Sequence, residues 1–170
     1  NGLRIRALAG LRKNGELLEA YEQLSASFES YEDGSIGRRL LRLEIEGGWG
    51  EAIVLSGFQQ SNVAAMSPGA VKIEQALLAA FPYNDHKLIG YLTAQLAMYY
   101  AMSGDWARGL NTLYAAEASY EQAGSNVLLA MVRANIGYHH IRLGYLGEAL
   151  QYYRQALALQ QRSEYNDGLA

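Results

Sequence analysis

The chain of 170 residues contains no cysteine. That excludes a disulfide framework, a thiolate metal site and a cysteine nucleophile. It fits a reducing, cytoplasmic setting, and equally the many secreted bacterial proteins that lack cysteine. Only two prolines are present and no long polar tract occurs, which argues against disorder over most of the length. No run of about 18 apolar residues exists, so no transmembrane helix and no membrane partner are expected. Arg4 and Arg6 are followed by no long apolar core, so the start is not a signal peptide. It also lacks an initiator methionine and reads as a fragment of a longer protein. Charge of one sign is missing too. Fourteen Lys and Arg face 17 Asp and Glu, a net charge of −3, which is too balanced for a strongly basic nucleic-acid binder or an acidic tail. Strict alternation is absent. Ala52-Ile53-Val54-Leu55 comes nearest to a strand, and its flanks continue a helical pattern.

What is present is a spacing that occurs twice. Ala97, Gly104, Gly109, Leu113 and Ala116 stand at offsets 0, 7, 12, 16 and 19. Gly137, Gly144, Ala149, Tyr153 and Ala156 repeat those offsets 40 residues later. Each set reads as an apolar helix, a tight glycine turn and a second apolar helix. Such a pair cannot bury both faces alone, so neighbouring pairs must stack. Small residues at Ala97, Gly109, Gly137 and Ala149 let the two helices of a pair approach. Leu96, Leu113, Ile136 and Tyr153 fill the space between them, and Ala116 and Ala156 face the next pair.

The 3.6-residue period predicts about nine antiparallel helices. Their spans are 2–13, 16–29, 36–46, 50–64, 69–81, 85–102, 106–121, 127–142 and 146–161. The expected breaks are Asn14-Gly15, Gly47-Gly48, Ser67-Pro68-Gly69, Pro82 with Asn84, Ser103-Gly104-Asp105, Gly124-Ser125-Asn126 and Gly144. Asp105 and Asn126 are placed as N-caps. Half of the residues are hydrophobic, enough for a core within one domain.

The stretch from Asn135 to Leu157 resembles the tetratricopeptide repeat, with Gly137, Gly144, Ala149, Tyr153 and Ala156 on that family's small and aromatic positions. The Gly104 pair matches more loosely, with Gly109 where the family prefers Ala. Leu8, Gly15, Ala20, Leu24 and Ser27 repeat the same offsets. The resemblance implies an all-α, right-handed superhelix, a single solenoid domain over 1–170. Its repeats are clearest at 90–123 and 130–163, recognisable at 1–29 and irregular over 33–82. A 40-residue spacing exceeds the family's usual length of about 34. It is similar to the MalT-like helical arrays of large bacterial transcriptional regulators, as is the layout of Phe81-Pro82, a long helix and Gly104-Asp105-Trp106. Ser163 to Ala170 reads like the start of a further first helix.

In that family the first helix of each pair lines the concave surface. Carried across, the groove comprises Tyr91, Ala94, Met98, Ala101 and Met102, then Met131, Ala134, Tyr138, Ile141 and Arg142, with Asn135 nearby. Methionine adapts its shape and tyrosine supplies area with a polar tip, both suited to a peptide or helix. The same residues could pack against another segment or subunit instead. The cationic clamp of chaperone-binding members needs several inward Lys, Arg and Asn, and only Asn135 and Arg142 are at hand. The thirteen tyrosines, among them the pairs Tyr99-Tyr100 and Tyr152-Tyr153, read mainly as spacers between helices.

Catalytic patterns are thin. His139 and His140 are adjacent on a helix and point about 100° apart, which is poor geometry for one metal. His86 is distant, and His140 falls where the family packs an aromatic ring. Gly47-Gly48-Trp49-Gly50 lacks a following Lys-Ser/Thr and a preceding strand, so it reads as a turn between helices rather than a phosphate loop. Glu16, Glu19 and Glu22, and Glu44 with Glu46, read as solvated faces. Arg38, Arg39 and Arg42 form a small basic patch, but acidic residues follow and no aromatics interleave, so direct nucleic-acid contact is not expected. The expectation is a scaffold without cofactor, metal or catalysis, binding a protein or peptide and able to self-associate. A ligand- or peptide-sensing domain of a transcriptional regulator and a structural oligomerisation array are the alternatives. An enzyme would need a polar cluster that this groove lacks.

Overall fold

The computed structural model describes residues 14–29 and 35–167, and every regular element among them is helical. Seven α-helices follow one another. They are α1 (Asn14–Glu29), α2 (Ile36–Gln59), α3 (Val63–Ala80), α4 (His86–Met102), α5 (Trp106–Gln122), α6 (Asn126–Leu143) and α7 (Leu146–Asp167). A short 3₁₀ turn, Phe81–Tyr83, follows α3. Among the described residues no helix is long and apolar enough to cross a membrane. The chain divides into two compact units, Asn1–Asn84 and Asp85–Ala170.

In the first unit α2 packs on α1 and on α3. The helix expected over 2–13 lies outside the described residues. The turn expected at Gly47-Gly48-Trp49-Gly50 does not form, and α2 runs unbroken for 24 residues. Packing explains this. A glycine inside a helix costs roughly 1 kcal/mol relative to alanine, which close helix approach can offset. A Cβ on Gly50 would lie 2.6 Å from the Gly69 carbonyl oxygen and 2.7 Å from Ile73 Cγ1 of α3. A Cβ on Gly57 would sit 2.8 Å from the Met66 backbone nitrogen. Gly48 lies against the Tyr21 ring of α1. The glycines are therefore a contact face, where one helix crosses another with no side chain between.

The break expected at Ser67-Pro68-Gly69 is also absent. Helix α3 starts earlier, where the Asn62 side chain accepts a hydrogen bond from Ala65 N at 3.2 Å. Pro68 removes the one main-chain donor that would reach Ala64, and the helix continues through it. The turn falls instead at Gln60-Ser61-Asn62, with Ser61 in the left-handed region at φ 52°. At its other end α3 stops as expected at Pro82 and Asn84, the latter left-handed at φ 51°.

In the second unit each helix packs on the next: α4 on α5, α5 on α6, α6 on α7. Three turns are built alike. Gly104, Gly124 and Gly144 take φ values of 93°, 64° and 88°, which only glycine adopts without a Cβ penalty. At each, the glycine N–H bonds three residues back and the next N–H five residues back, as from Asp105 N to Tyr100 O at 2.8 Å and Tyr145 N to His140 O at 2.8 Å. That pair of bonds satisfies carbonyls left open by the ending helix. Asp85 and Asp105 then cap α4 and α5, accepting from Leu88 N and Arg108 N at 3.0 Å. The cap of α6 is Ser125 rather than Asn126, which is the first helical residue. Residues 163–167 continue α7 and do not begin a new helix.

Both hairpins of this unit use one crossing with its partners exchanged. A Cβ on Gly109 would lie 3.1 Å from the Ala97 carbonyl oxygen, and one on Gly137 would lie 3.2 Å from that of Ala149. Around these crossings Leu110, Leu113, Ala116 and Tyr120 of α5 bury against Leu129, Val132 and Ile136 of α6.

Candidate interaction surface

The exposed side of α6 carries four of the expected groove residues. Met131, Asn135, Tyr138 and Arg142 follow at helical spacing, and all are exposed, Met131 at 60% and Tyr138 at 45%. Large apolar side chains left in water along one ridge are the signal that separates a contact surface from ordinary scatter. Tyr91, Met98 and Met102 sit on α4 and are half-buried. Of their α6 counterparts, Tyr138 and Arg142 turn instead to Trp106, the first residue of α5.

Trp106 organises the C-terminal half of the ridge. Asp105, capping α5, fixes where that indole begins. The Arg142 guanidinium lies over it at 4.1 Å and also donates to Tyr138 Oη at 3.2 Å. The Tyr138 ring meets the indole edge-on at 5.8 Å, and the His139 ring at 5.3 Å. A cation held between an aromatic face and a phenol is ordered before any partner arrives, which lowers the entropic cost of binding. Sequence reading placed Trp106 as the first residue of the helix over 106–121 and gave its side chain no role in the groove. The signal available was its position one residue after a capping aspartate, with Tyr138 and Arg142 four residues apart on the neighbouring helix.

Beneath the ridge the two histidines are buried, 5% and 6% exposed. His139 Nδ1 donates to the Asn135 carbonyl at 2.9 Å, so Nε2 presents its lone pair and has no hydrogen-bond partner. That nitrogen sits against Gly109. Burial pushes the His139 pKa down, and the neighbouring His140 adds to this against the opposing Asn135 bond. His140 stacks on Tyr152 with ring centres 5.5 Å apart, and its Nε2 shares a hydrogen bond of 3.0 Å with Tyr114 Oη. Burial first, then the charges of Glu117 and Tyr114, push the Tyr152 phenol up to about 12. Among the described residues no three His, Asp or Glu side chains gather as a metal site.

A polar cluster among the described residues of the first unit corrects an expectation. Glu46 does not belong to a solvated face. It accepts from Ser25 of α1 at 2.8 Å and from Lys72 of α3 at 2.5 Å, joining three helices. Burial pushes its carboxyl up. The bonds from Lys72 and Ser25, with the charges of Lys72 and Arg42, outweigh that and hold it below the usual carboxylate range. Lys72 in turn lies 3.8 Å over the Trp49 ring. With its polar partners supplied from inside, this cluster is built to hold helices together.

A second feature of α6 and α7 is an open groove of about 560 Å³ between them. Its floor is Ala130, Ala134 and Ala156, and its walls include Met131, Tyr153 and Leu157. Leu157 is 55% exposed. Met131 thus belongs to both features, one edge of the ridge and one wall of the groove. Comparison of the sequence with protein-family models and with curated proteins finds no match.

Proposed function

We propose that this chain is a tetratricopeptide-like helical-repeat module that binds a protein or peptide partner and performs no catalysis. One observation carries the reading: the exposed ridge Met131–Asn135–Tyr138–Arg142, with Arg142 held in place over Trp106. Tyr, Trp and Arg are the side chains that contribute most where proteins meet, because they combine area with a directed polar contact. The repeated crossing of Ala97 with Gly109 and of Gly137 with Ala149 supports an array of stacked hairpins, for which a right-handed superhelix is the expected form. Within this reading the module is a cytoplasmic segment of a larger bacterial regulatory protein, and it touches neither nucleic acid nor membrane directly.

The test is a displayed peptide library selected on the intact chain, with affinities measured by fluorescence anisotropy. Selected peptides should lose most of their binding to the Met98→Asp, Tyr138→Asp double variant while its circular dichroism stays helical. Failure to select any peptide, or unchanged binding to the double variant, overturns the reading.

A further inference from the structure

The helices expected to line the concave surface, α4 and α6, carry no acid. Between them they hold Lys87, Arg133 and Arg142, and neither contains an Asp or Glu. Arg133 is spent inside the fold, reaching Glu117 at 2.6 Å and Glu121 at 2.8 Å. Arg142 is exposed. It meets Trp106 and Tyr138, and among the described residues it has no carboxylate partner. Asp105, next to Trp106 in the chain, turns to its own helix, its Oδ1 accepting from Arg108 N at 3.0 Å. The hairpin itself needs no cation at this place. Forty residues earlier the positions of Tyr138 and Arg142 hold Met98 and Met102, both half-buried.

What α5 and α6 present is a charged fork with a fixed orientation. The indole covers one face of the guanidinium at 4.1 Å, and Tyr138 Oη takes one N–H at 3.2 Å. The other N–H donors have no acceptor among the described residues. A planar cation held in this way matches a planar anion through two parallel hydrogen bonds. Charge decides which anion. A phosphate brings close to two negative charges near neutral pH and is best met by several cations. Here one cation is unspent and the Asp105 carboxylate stands close in the chain, so a single negative charge is the match. The rings decide how it arrives. Trp106 and Tyr138 meet edge-on at 5.8 Å beside the cation. A carboxylate on a methylene stem can lie along them, as glutamate does. A chain terminus would bring its polar amide against the same rings, which is unfavourable.

We infer that Arg142, held over Trp106, anchors a glutamate side chain of the peptide partner, so that this site selects acidic segments. This rests on the interaction-module reading and names the partner's chemistry.

Synthetic libraries of acetylated, amidated dodecapeptides test it. One fixes glutamate at a central position, a second glutamine and a third phosphoserine. Binding to the full chain is followed by anisotropy. The best binders of the glutamate library should lose about tenfold in affinity when that residue is replaced by glutamine, the scale of one charge-assisted pair. On the Arg142→Gln chain, with its circular dichroism unchanged, the two forms should bind equally. On the Arg142→Lys chain, which keeps the charge without the fork, a smaller preference for glutamate should remain. A glutamate preference that persists on the Arg142→Gln chain overturns the inference. So does tighter binding of the phosphoserine forms, or binding that requires a free C-terminus. In each of those cases peptides still bind, and the interaction module stands while this assignment falls. If no library yields a binder, both fall.

Discussion

The two units differ in their glycines: both place some where helices cross, and among the described residues only the second also ends helices on them. In the second, Gly104, Gly124 and Gly144 end helices in left-handed turns, and nothing lies within 4 Å of where a Cβ would stand. In the first, Gly50, Gly57 and Gly69 are inside helices with ordinary dihedrals, and a neighbouring backbone or side chain fills the space of the missing Cβ. One residue type solves a conformational problem in one place and a steric problem in the other. The difference teaches how a substitution should be judged. At a turn the cost is set by φ and barely depends on side-chain size. At a crossing it is set by volume.

The largest effect should come from Gly69→Val. The added atoms meet Val54 of α2 at 2.9 Å from Cβ alone, and the crossing must open. A loss of about 3 kcal/mol is expected, the upper end for overpacking, read as a lower midpoint in thermal unfolding followed by circular dichroism. Gly37→Ala, in the same unit with open space around it, should instead stabilise by about 0.5–1 kcal/mol through helix propensity. If the two substitutions behave alike, the crossing is not what holds those glycines.

Next in size is Gly144→Val, at about 1–2 kcal/mol, the cost of holding an L-residue in the left-handed region. Gly144→Ala should cost nearly as much, because no neighbour is there to feel the difference in size. Urea titration of both variants decides it. A cost that grows steeply from Ala to Val would erase the distinction between the units.

The smallest effect is in the response to pH. His139 has a folded pKa below its ordinary 6.5, so the stability it contributes is present above that pH and is lost as the pH falls. Glu46 is likewise depressed, from an ordinary 4.5, and its contribution is lost only below that value. On acidification the second unit should loosen before the first, seen as earlier loss of the amide signal of Val132 than of Val54 in NMR. Alkali should again weaken the second unit more. Burial raises Tyr21 in the first unit to about 12, and Tyr120 and Tyr152 in the second likewise, so both units lose stability as the pH climbs from 10 towards 12 and the second, with two such phenols, loses more. Simultaneous loss in acid would mean that neither buried group sets the order.

The turns of the second unit were legible in the sequence, because they combine glycine with polar caps such as Asp105 and each hairpin confirms the other; the end of α7, which runs to Asp167 instead of stopping at 161, was not. The first unit was not. Gly47-Gly48-Trp49-Gly50 and Ser67-Pro68-Gly69 carry the composition of turns, and only the contact between α2 and α3, which is remote in sequence, shows why they stay helical. The real turn, Gln60-Ser61-Asn62, has no glycine, and its one local cue was an asparagine before an apolar run. For the surface, helical spacing was enough to place Met131, Asn135, Tyr138 and Arg142 together. It could not assign Trp106 to them or show that Met131 also walls a groove, since both depend on how α5 and α7 lie against α6.

The chain has two tryptophans, and they fall one to each unit. Each sits under a cation from a neighbouring helix, Lys72 over Trp49 and Arg142 over Trp106. Separation of α2 from α3, or of α5 from α6, must remove that charge from the indole face and admit water in its place. The protein is thus an optical instrument with two channels. Excited at wavelengths that tyrosine does not absorb, the Trp106→Phe chain reports on the first unit and the Trp49→Phe chain on the second, so the sequence of opening events can be timed without attaching any label.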